Sequence, residues 1–247
     1  MSAVLASRSA AEAAGPLPPR GDTTHMPGSH ATDMPSGDTI ARLAGWAVAF
    51  DAKLCGLAED LDTSWRQALL GPWSFLDAMP PERAAVLWPR LWRDRLAHEG
   101  HWPALGRFDD PLTRLCLLPR GDLLQRLCTL ALARRPGVLR CCIDRSVRAP
   151  LQRALGDTFS VLSTFSPQGR PVDAAQAAWS PVQWACVGFA DWSAALAGDS
   201  RLITTLVRWS LPRQALDQVL DAAPVPAERP VAAALAALGQ AEVTWPC

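Results

Sequence analysis

The sequence predicts an all-α protein: a single compact domain of short and medium helices that follows a disordered N-terminal tail. Apolar residues recur at three- and four-residue steps, which is the period of an amphipathic helix. The chain has 247 residues and is 49% hydrophobic, enough for one substantial core. Prolines punctuate the periodic segments, so we expect seven to nine helices, several of them short; the relevant positions are Pro89, Pro136, Pro150, Pro181 and Pro212.

The first 37 residues differ in composition from the rest of the chain. They are rich in Ala, Pro, Gly, Ser, Thr and Asp and contain almost no large apolar side chains. Such a segment cannot bury enough apolar surface to offset the entropy lost on ordering. We therefore expect a disordered tail over residues 1–37 and a helical domain over residues 38–247.

Residues 38–61 predict a helix that Asp38 or Thr39 caps. Its apolar residues alternate steps of three and four, as in a heptad seam; they are Ile40, Leu43, Ala47, Phe50, Leu54, Leu57 and Leu61. The seam fits either a coiled-coil contact with a partner or a helix that faces the core of a bundle. About three heptads containing Gly45 and Gly56 favour the core-facing helix.

The stretch over residues 115–155 contains two amphipathic patterns separated by a sharp break. In the first, Asp122 is placed to cap the opening turn, Gln125 stands three residues later as in a capping box, and Pro136 with Gly137 ends the helix. Its apolar face is expected to be buried; it comprises Leu123, Leu124, Leu127, Leu130 and Ala131.

The second pattern predicts a helix with one apolar and one basic side. Leu139, Ile143, Val147 and Leu151 recur at steps of four and are expected to pack. Pro150 lies inside this pattern, where it removes a backbone donor, so we expect a kink or a fresh helix that begins at Pro150.

Boundaries of the other helices follow from caps and prolines. Pro80-Pro81 is expected to open a helix that Pro89 interrupts. Residues 158–165 fit a short strand or a helix equally well. Ser180 and Pro181 suit the N-cap and first position of a helix that reaches about Ala197. Further helices are expected to start at Asp199 or Ser200, at Leu211-Pro212, and, after a linker over residues 224–230, in an Ala-rich segment that ends near Gly239.

Composition argues against several classes of function. The formal net charge is zero, whereas a general nucleic-acid binder normally carries a basic excess. The seven cysteines include no Cys-x-x-Cys pair and are expected to be reduced core thiols. A secretory signal and a membrane-spanning stretch are not apparent. These features predict a cytoplasmic protein that does not cross a membrane.

Motifs for catalysis and cofactor binding are also missing. The pair His98 and His101 lies beside Gly100 and Pro103 and has no third ligand nearby, so it does not predict a metal site. The chain has no serine nucleophile elbow, no phosphate-binding loop and no dinucleotide fingerprint. We expect no catalytic residue, no cofactor and no metal, although folding could still assemble an acid–base pair from scattered residues.

Two blocks of sequence resemble one known family. The first contains Leu-x-Leu-x-Pro over residues 115–119, a Leu-rich helix, and a basic helix that ends in Pro-Leu-Gln-x-x-Leu over residues 150–155. The second is the Gly-x-x-x-Trp-x-Ala-Ala segment over residues 188–195, followed by Arg208 and Leu211-Pro212. Together they resemble the K protein of type III secretion sorting platforms, the YscK-like or SctK family.

The resemblance implies a non-catalytic adaptor, so residues 38–247 would form a helical adaptor domain. In that family the K protein links the cytoplasmic domain of the inner-membrane ring protein (SctD-like) to the pods of the Q protein (SctQ-like). The pods connect through the L protein (SctL-like) to the ATPase. The implied location is the cytosolic face of the bacterial inner membrane, where partners alone hold the protein.

Two other classes of function stay open from the sequence. A secretion chaperone would form a stable complex with an exported substrate rather than with ring and pod proteins. An enzyme with a site built from scattered residues would show a deep polar pocket containing acids with strongly shifted pKa values.

Arg145, Arg148 and Arg153 are the candidate partner interface. On a helical wheel they lie opposite the apolar face of the second pattern. They form either a solvated exterior whose side-chain stems cover apolar neighbours, or a surface that binds carboxylates of the ring or pod protein.

Overall fold

The computed structural model describes residues 36–240, and all regular secondary structure in that range is helical. Its α-helices are α1 (Gly37–Cys55), α2 (Leu57–Asp60), α3 (Thr63–Leu70), α4 (Pro81–Ala97), α5 (Pro111–Arg114), α6 (Arg120–Arg134), α7 (Gly137–Cys141), α8 (Arg145–Leu155), α9 (Thr158–Phe165), α10 (Ala174–Ala177), α11 (Pro181–Ala195), α12 (Arg201–Trp209), α13 (Arg213–Asp221) and α14 (Val231–Gln240). Short 3-10 helices span Gly71–Ala78, Leu105–Asp109, Leu115–Leu117 and Ser166–Gln168. The all-α prediction is confirmed, with more and shorter helices than expected. Apart from its last two positions, the expected tail over residues 1–37 lies outside the described residues.

Helices α6 and α11 form the centre of the fold. Both have buried residues around most of their circumference, and α8, α9, α13 and α14 pack against one or both of them. Gly188 of α11 lies directly against α6, where a Cβ atom would be 1.9 Å from the Leu127 carbonyl oxygen. One turn later the fully buried Trp192 donates from Nε1 to the Leu112 carbonyl at 2.8 Å. The glycine therefore sets the distance between the two central helices.

A buried cluster of charges joins the carboxyl end of α6 to α11. The Asp191 carboxylate accepts from Arg134 Nη1 and from Arg135 Nη1, both at 2.5 Å. Arg135 is 4% exposed and also donates from Nε to the Val225 carbonyl at 2.6 Å. Arg134 donates from Nε to the Arg229 carbonyl at 2.8 Å. The cluster thus connects the carboxyl end of α6 both to α11 and to the segment before α14.

The amino end of α6 is capped by another helix and not by its own side chains. The expected cap is wrong: Asp122 is exposed, and the helix start has no local side-chain cap. Instead Asp60 of α2 accepts from the Arg120 backbone N–H at 2.7 Å. Gln125 also departs from the capping-box prediction, because its Nε2 donates to the Leu155 carbonyl at 3.1 Å.

The only lysine of the chain belongs to the same polar network. Lys53 is buried, pairs with the Asp60 carboxylate and donates from Nζ to the Leu118 carbonyl at 2.5 Å. Arg120 pairs with Asp62 at 2.5 Å. These contacts join α1 and α2 to the start of α6.

Helix α1 is buried only in its second half. Phe50 and Leu54, followed by Leu57 and Leu61, lie in the core, whereas Ile40 is 52% exposed. The core-facing interpretation of the heptad therefore holds from Phe50 onward. In the first half of the seam Ile40 is exposed, and Leu43 and Ala47 are only partly buried.

Two prolines lie inside helices that continue past them. Pro89 does not interrupt α4, and the fresh helix expected at Pro150 begins earlier, at Arg145. Each proline removes one backbone hydrogen bond, to the carbonyl of Ala85 or Ser146. Both of these residues are exposed, so water can satisfy the freed carbonyl groups.

The single helix expected through residues 139–151 is two helices, α7 and α8. A bond from Cys142 N–H to the Val138 carbonyl at 3.1 Å closes the end of α7. The Asp144 carboxylate then accepts from the Ser146 N–H at 2.8 Å and caps α8. This N-cap restarts the helix in a new phase.

Residues 158–165 form helix α9, so the strand alternative is wrong. Gly156, with φ of +56°, ends α8 and separates it from α9. The predicted starts of the last helices are confirmed. Ser180 and Gln183 form a capping box on α11, and Ser200 and Pro212 occupy the N-cap positions of α12 and α13.

We predict that Gly188→Ala strongly destabilises the protein, because the added methyl group would overlap the Leu127 carbonyl and push α6 and α11 apart. A loss of about 3 kcal/mol is expected, which lowers Tm by roughly 6–12 °C in thermal unfolding.

Gly45→Ala is the matched control, since Gly45 also lies inside a helix but a Cβ there would meet nothing within 4 Å. Its Tm should stay constant or rise slightly, because alanine favours helix by about 1 kcal/mol over glycine. A Gly188→Ala protein as stable as the wild type would contradict the close contact.

Asp191→Ala is expected to lower the free energy of unfolding by about 3–5 kcal/mol, because it leaves Arg135 buried without a counter-charge. Asp217 is exposed on α13, so Asp217→Ala should change it by less than about 0.5 kcal/mol. Urea unfolding of both variants measures the difference. Equal stabilities would show that the cluster does not hold the helices together.

Candidate functional site

Helix α8 carries the three arginines predicted as a partner interface. Leu151 and Leu155 face the core, and Arg145, Arg148 and Arg153 are all exposed. At 3.6 residues per turn, Arg145 and Arg148 lie about 60° apart and Arg153 about 80° from Arg145 on the other side. The three exposed arginines are thus spread over about 140° of the helix, with Arg148 at the edge next to the buried Leu155. We call these three residues the basic face.

The basic face has no carboxylate partner within residues 36–240. None of its three arginines forms an ion pair there. The guanidinium of Arg148 lies over the Phe159 ring at 5.2 Å from the centroid, which fixes its direction. The basic face therefore presents positive charge that the described part of the chain does not neutralise.

Ile143 lies beside the basic face and not in the core where the apolar spacing placed it. It is 87% exposed, more than any other large apolar side chain in the described part of the chain. The reason is the break between α7 and α8, which interrupts the four-residue spacing at this point. Asp144, placed just before Arg145, is an N-cap signal that could have located this break from the sequence.

Ile143 and Arg148 border a cleft of about 470 Å³ between α7, α8 and the segment after α9. Leu139 and Cys142 contribute buried apolar surface to its lining. Arg140, on the same lining, donates from Nη2 to the Gly169 carbonyl at 2.9 Å. The complete lining is Leu139, Arg140, Cys142, Ile143, Arg148, Ser163, Ser166 and Pro167. It contains two positive charges, two hydroxyls and apolar surface, and none of these residues is a carboxylate or an imidazole.

The thiols near this cleft and in the core are not activated. Burial raises the pKa of Cys142 to about 11 and that of Cys116 and Cys186 to about 12. Cys142 donates from Sγ to the Ala177 carbonyl at 3.1 Å. Because the thiolate is the nucleophilic form, these groups are inert at neutral pH, as expected for reduced core cysteines.

A second and larger cleft, of about 730 Å³, lies between α2, α3 and α4. The Asp62–Arg120 ion pair and the side chains of Leu61 and Trp88 contribute to its lining. No local sequence pattern indicates this cleft, because its walls come from segments that are far apart in the chain.

Neither a metal site nor a membrane-spanning helix is present in the described part of the chain. His98 contacts the Asp94 carbonyl through Nδ1 at 2.7 Å, and residues 36–240 contain no group of three His, Cys, Asp or Glu residues placed to hold a metal ion. In the same range no helix combines the length and apolar character needed to span a bilayer.

Comparison with known proteins supports the broader part of the resemblance found in the sequence. No curated protein and no solved structure matches the chain. The sequence profile of the family described as bacterial type III secretion protein (HrpB4) matches residues 38–241, which is most of the chain and includes the basic face. The chain therefore belongs to the HrpB4 family of bacterial type III secretion proteins.

Proposed function

We propose that this protein is a non-catalytic adaptor in the sorting platform of a type III secretion injectisome. It links the cytoplasmic domain of an SctD-like inner-membrane ring protein to the pods built from an SctQ-like protein. Through the pods it is connected to the SctL-like stator and the ATPase. It works at the cytosolic face of the inner membrane, where its partners hold it.

Family membership supports a role in secretion, and the K-like motifs support the adaptor role. The motif residues Gly188, Trp192, Leu151 and Leu155 lie in the tightly packed centre of the fold. The residues that carry the resemblance therefore belong to the scaffold of this fold. The binding surface must be found among exposed residues.

The unpaired charge of the basic face supports its assignment as the surface that binds a partner. Arg145, Arg148 and Arg153 are exposed on one helix without an ion pair in residues 36–240. Arginine forms bidentate hydrogen bonds with carboxylates, which are stronger than contacts between neutral groups. In a partly desolvated interface each such contact contributes more than an exposed salt bridge does. An acidic surface on the ring or pod protein would complete these pairs.

We predict that the double variant Arg145→Glu/Arg148→Glu loses its partners and abolishes secretion. Reversing two charges should weaken capture of the ring or pod protein at least tenfold, which corresponds to about 1.4 kcal/mol. The fold should persist, because Arg148 contributes only an exposed contact with Phe159 worth about 0.5–1 kcal/mol. Affinity purification of the tagged chain, secretion assays and circular dichroism measure these effects.

Arg83→Glu/Arg201→Glu is the control for charge, since both residues are exposed on other helices, α4 and α12. It makes the same change in net charge and should leave capture and secretion intact. Normal secretion by the Arg145/Arg148 variant would contradict the assigned surface, and loss of its helicity would show that the basic face is structural. A stable complex of the wild type with an exported substrate, and not with ring or pod proteins, would instead indicate a chaperone.

A further inference from the structure

The cleft beside the basic face combines exposed apolar surface with unneutralised charge. Ile143 is 87% exposed at its rim, and Leu139 and Cys142, which are 6% and 2% exposed, lie at the apolar floor of the cleft. Single exposed apolar residues are common on protein surfaces and need no explanation. Here the isoleucine is not isolated, because its side chain borders a concavity of about 470 Å³. That volume lies within the range of about 300–1,000 Å³ typical of ligand pockets.

The charge around this apolar area is positive. Arg140 and Arg148 line the cleft, and Arg145 is exposed one helical turn before Arg148. The nearby carboxylate of Asp144 is engaged as the N-cap of α8, and its hydrogen bonds with Ser146 lower its pKa. Asp144 therefore stays ionised at neutral pH but is committed to the helix start, and no acidic residue lines the cleft.

The groups that form the cleft are held in place before any partner binds. Arg140 is fixed by the Gly169 carbonyl and Arg148 by the Phe159 ring. The Cys142 thiol is fixed by the Ala177 carbonyl, and Ile143 follows it directly. Pre-ordered side chains lose less entropy on binding, so such a surface is suited to recognition.

Building on the proposed adaptor role, we propose that this cleft binds an acidic amphipathic helix of a partner protein in the secretion platform. An apolar side chain of that helix packs against Ile143 and enters toward Leu139 and Cys142. Carboxylates one turn away on the same helix pair with Arg145 and Arg148. A partner without acidic residues is selected against, because it would desolvate the arginines without a counter-charge.

The concave shape favours a protein segment over an anionic membrane surface. A bilayer can contact the exposed Ile143 and the arginines. It cannot follow the surface down to Leu139, which is 6% exposed, or Cys142, which is 2% exposed. A side chain that projects from a helix can do so.

We predict that a photo-crosslinking residue in place of Ile143, in the full-length chain and in cells with an intact secretion system, crosslinks to one segment of one platform protein. Mass spectrometry of the crosslinked peptide should show an apolar residue with at least two Asp or Glu residues within one helical turn. The same residue at Val48, which is 71% exposed on α1, is the control and should not crosslink to that segment.

The purified partner identified in this way provides a quantitative test. Ile143→Asp should weaken its binding at least tenfold, whereas Ile143→Leu and Val48→Asp should bind as the wild type does. The fold of Ile143→Asp should be unchanged because the side chain is exposed. Wild-type affinity of Ile143→Asp, no crosslink from position 143, or a crosslinked segment without acidic residues would overturn the cleft assignment.

These outcomes separate the two proposals. Wild-type binding of the partner by Ile143→Asp, together with loss of partners by the Arg145/Arg148 variant, would keep the adaptor role and reject the cleft as the binding site. A crosslink to an acidic helix of a protein outside the secretion platform supports the cleft chemistry and overturns the adaptor role. Sedimentation with phosphatidylglycerol vesicles tests the membrane alternative, and Ile143-dependent binding to them would overturn the proposal of a protein partner.

Discussion

The close contact between α6 and α11 is the constraint on which the rest of the structure depends. Gly188 lets the backbone of α11 approach the Leu127 carbonyl, and neighbouring helices pack around the resulting pair. The buried pairs of Arg134 and Arg135 with Asp191 fix the carboxyl end of α6 beside α11. Gly188 sets the distance between α6 and α11. The charge cluster, farther along the same two helices, sets their register. In the Gly-x-x-x-Trp-x-Ala-Ala segment over residues 188–195, Gly188 and Trp192 are specified positions and both are buried at this contact, whereas Asp191 falls at an unspecified position.

The other end of α6 shows how the first helices join this centre. Lys53 and Asp60 are drawn into a network that caps α6 from outside. Buried charges of this kind rarely stabilise a fold more than well-packed apolar residues would, but losing one partner is costly. They therefore specify one arrangement of α1 and α2 on the core. The arginines of the basic face of α8 form no ion pair within residues 36–240, so their charge is available for another molecule.

Local patterns predicted much of this fold, and contacts between distant segments account for the misses. The α11 start was predictable because Ser180 and Gln183 form a cap within one turn. The α6 cap was not, because Asp60 lies sixty residues before Arg120 in the chain. The spacing of apolar residues predicted a buried Ile143, but the Asp144 N-cap that follows it starts a new helix and leaves Ile143 exposed. The exposure of Arg145, Arg148 and Arg153 was predictable from helical periodicity, and their role as an interface stays a prediction. The cleft beside them was not predictable, because it depends on a turn between helices and on residues at and after the end of α9.

The structure is suited to a rigid link: a core held by a close helix contact and buried charges, with a separate exposed surface for binding. We propose that such a link connects the secretion ring to its pods. It is tested most directly by deleting the protein and imaging fluorescently tagged pod protein and ATPase in cells that still assemble the inner-membrane ring. We expect the pod protein and the ATPase to leave the ring and become diffuse, and re-expression of the wild-type chain to return them. Pods and ATPase that stay at the ring without this protein would contradict the adaptor role.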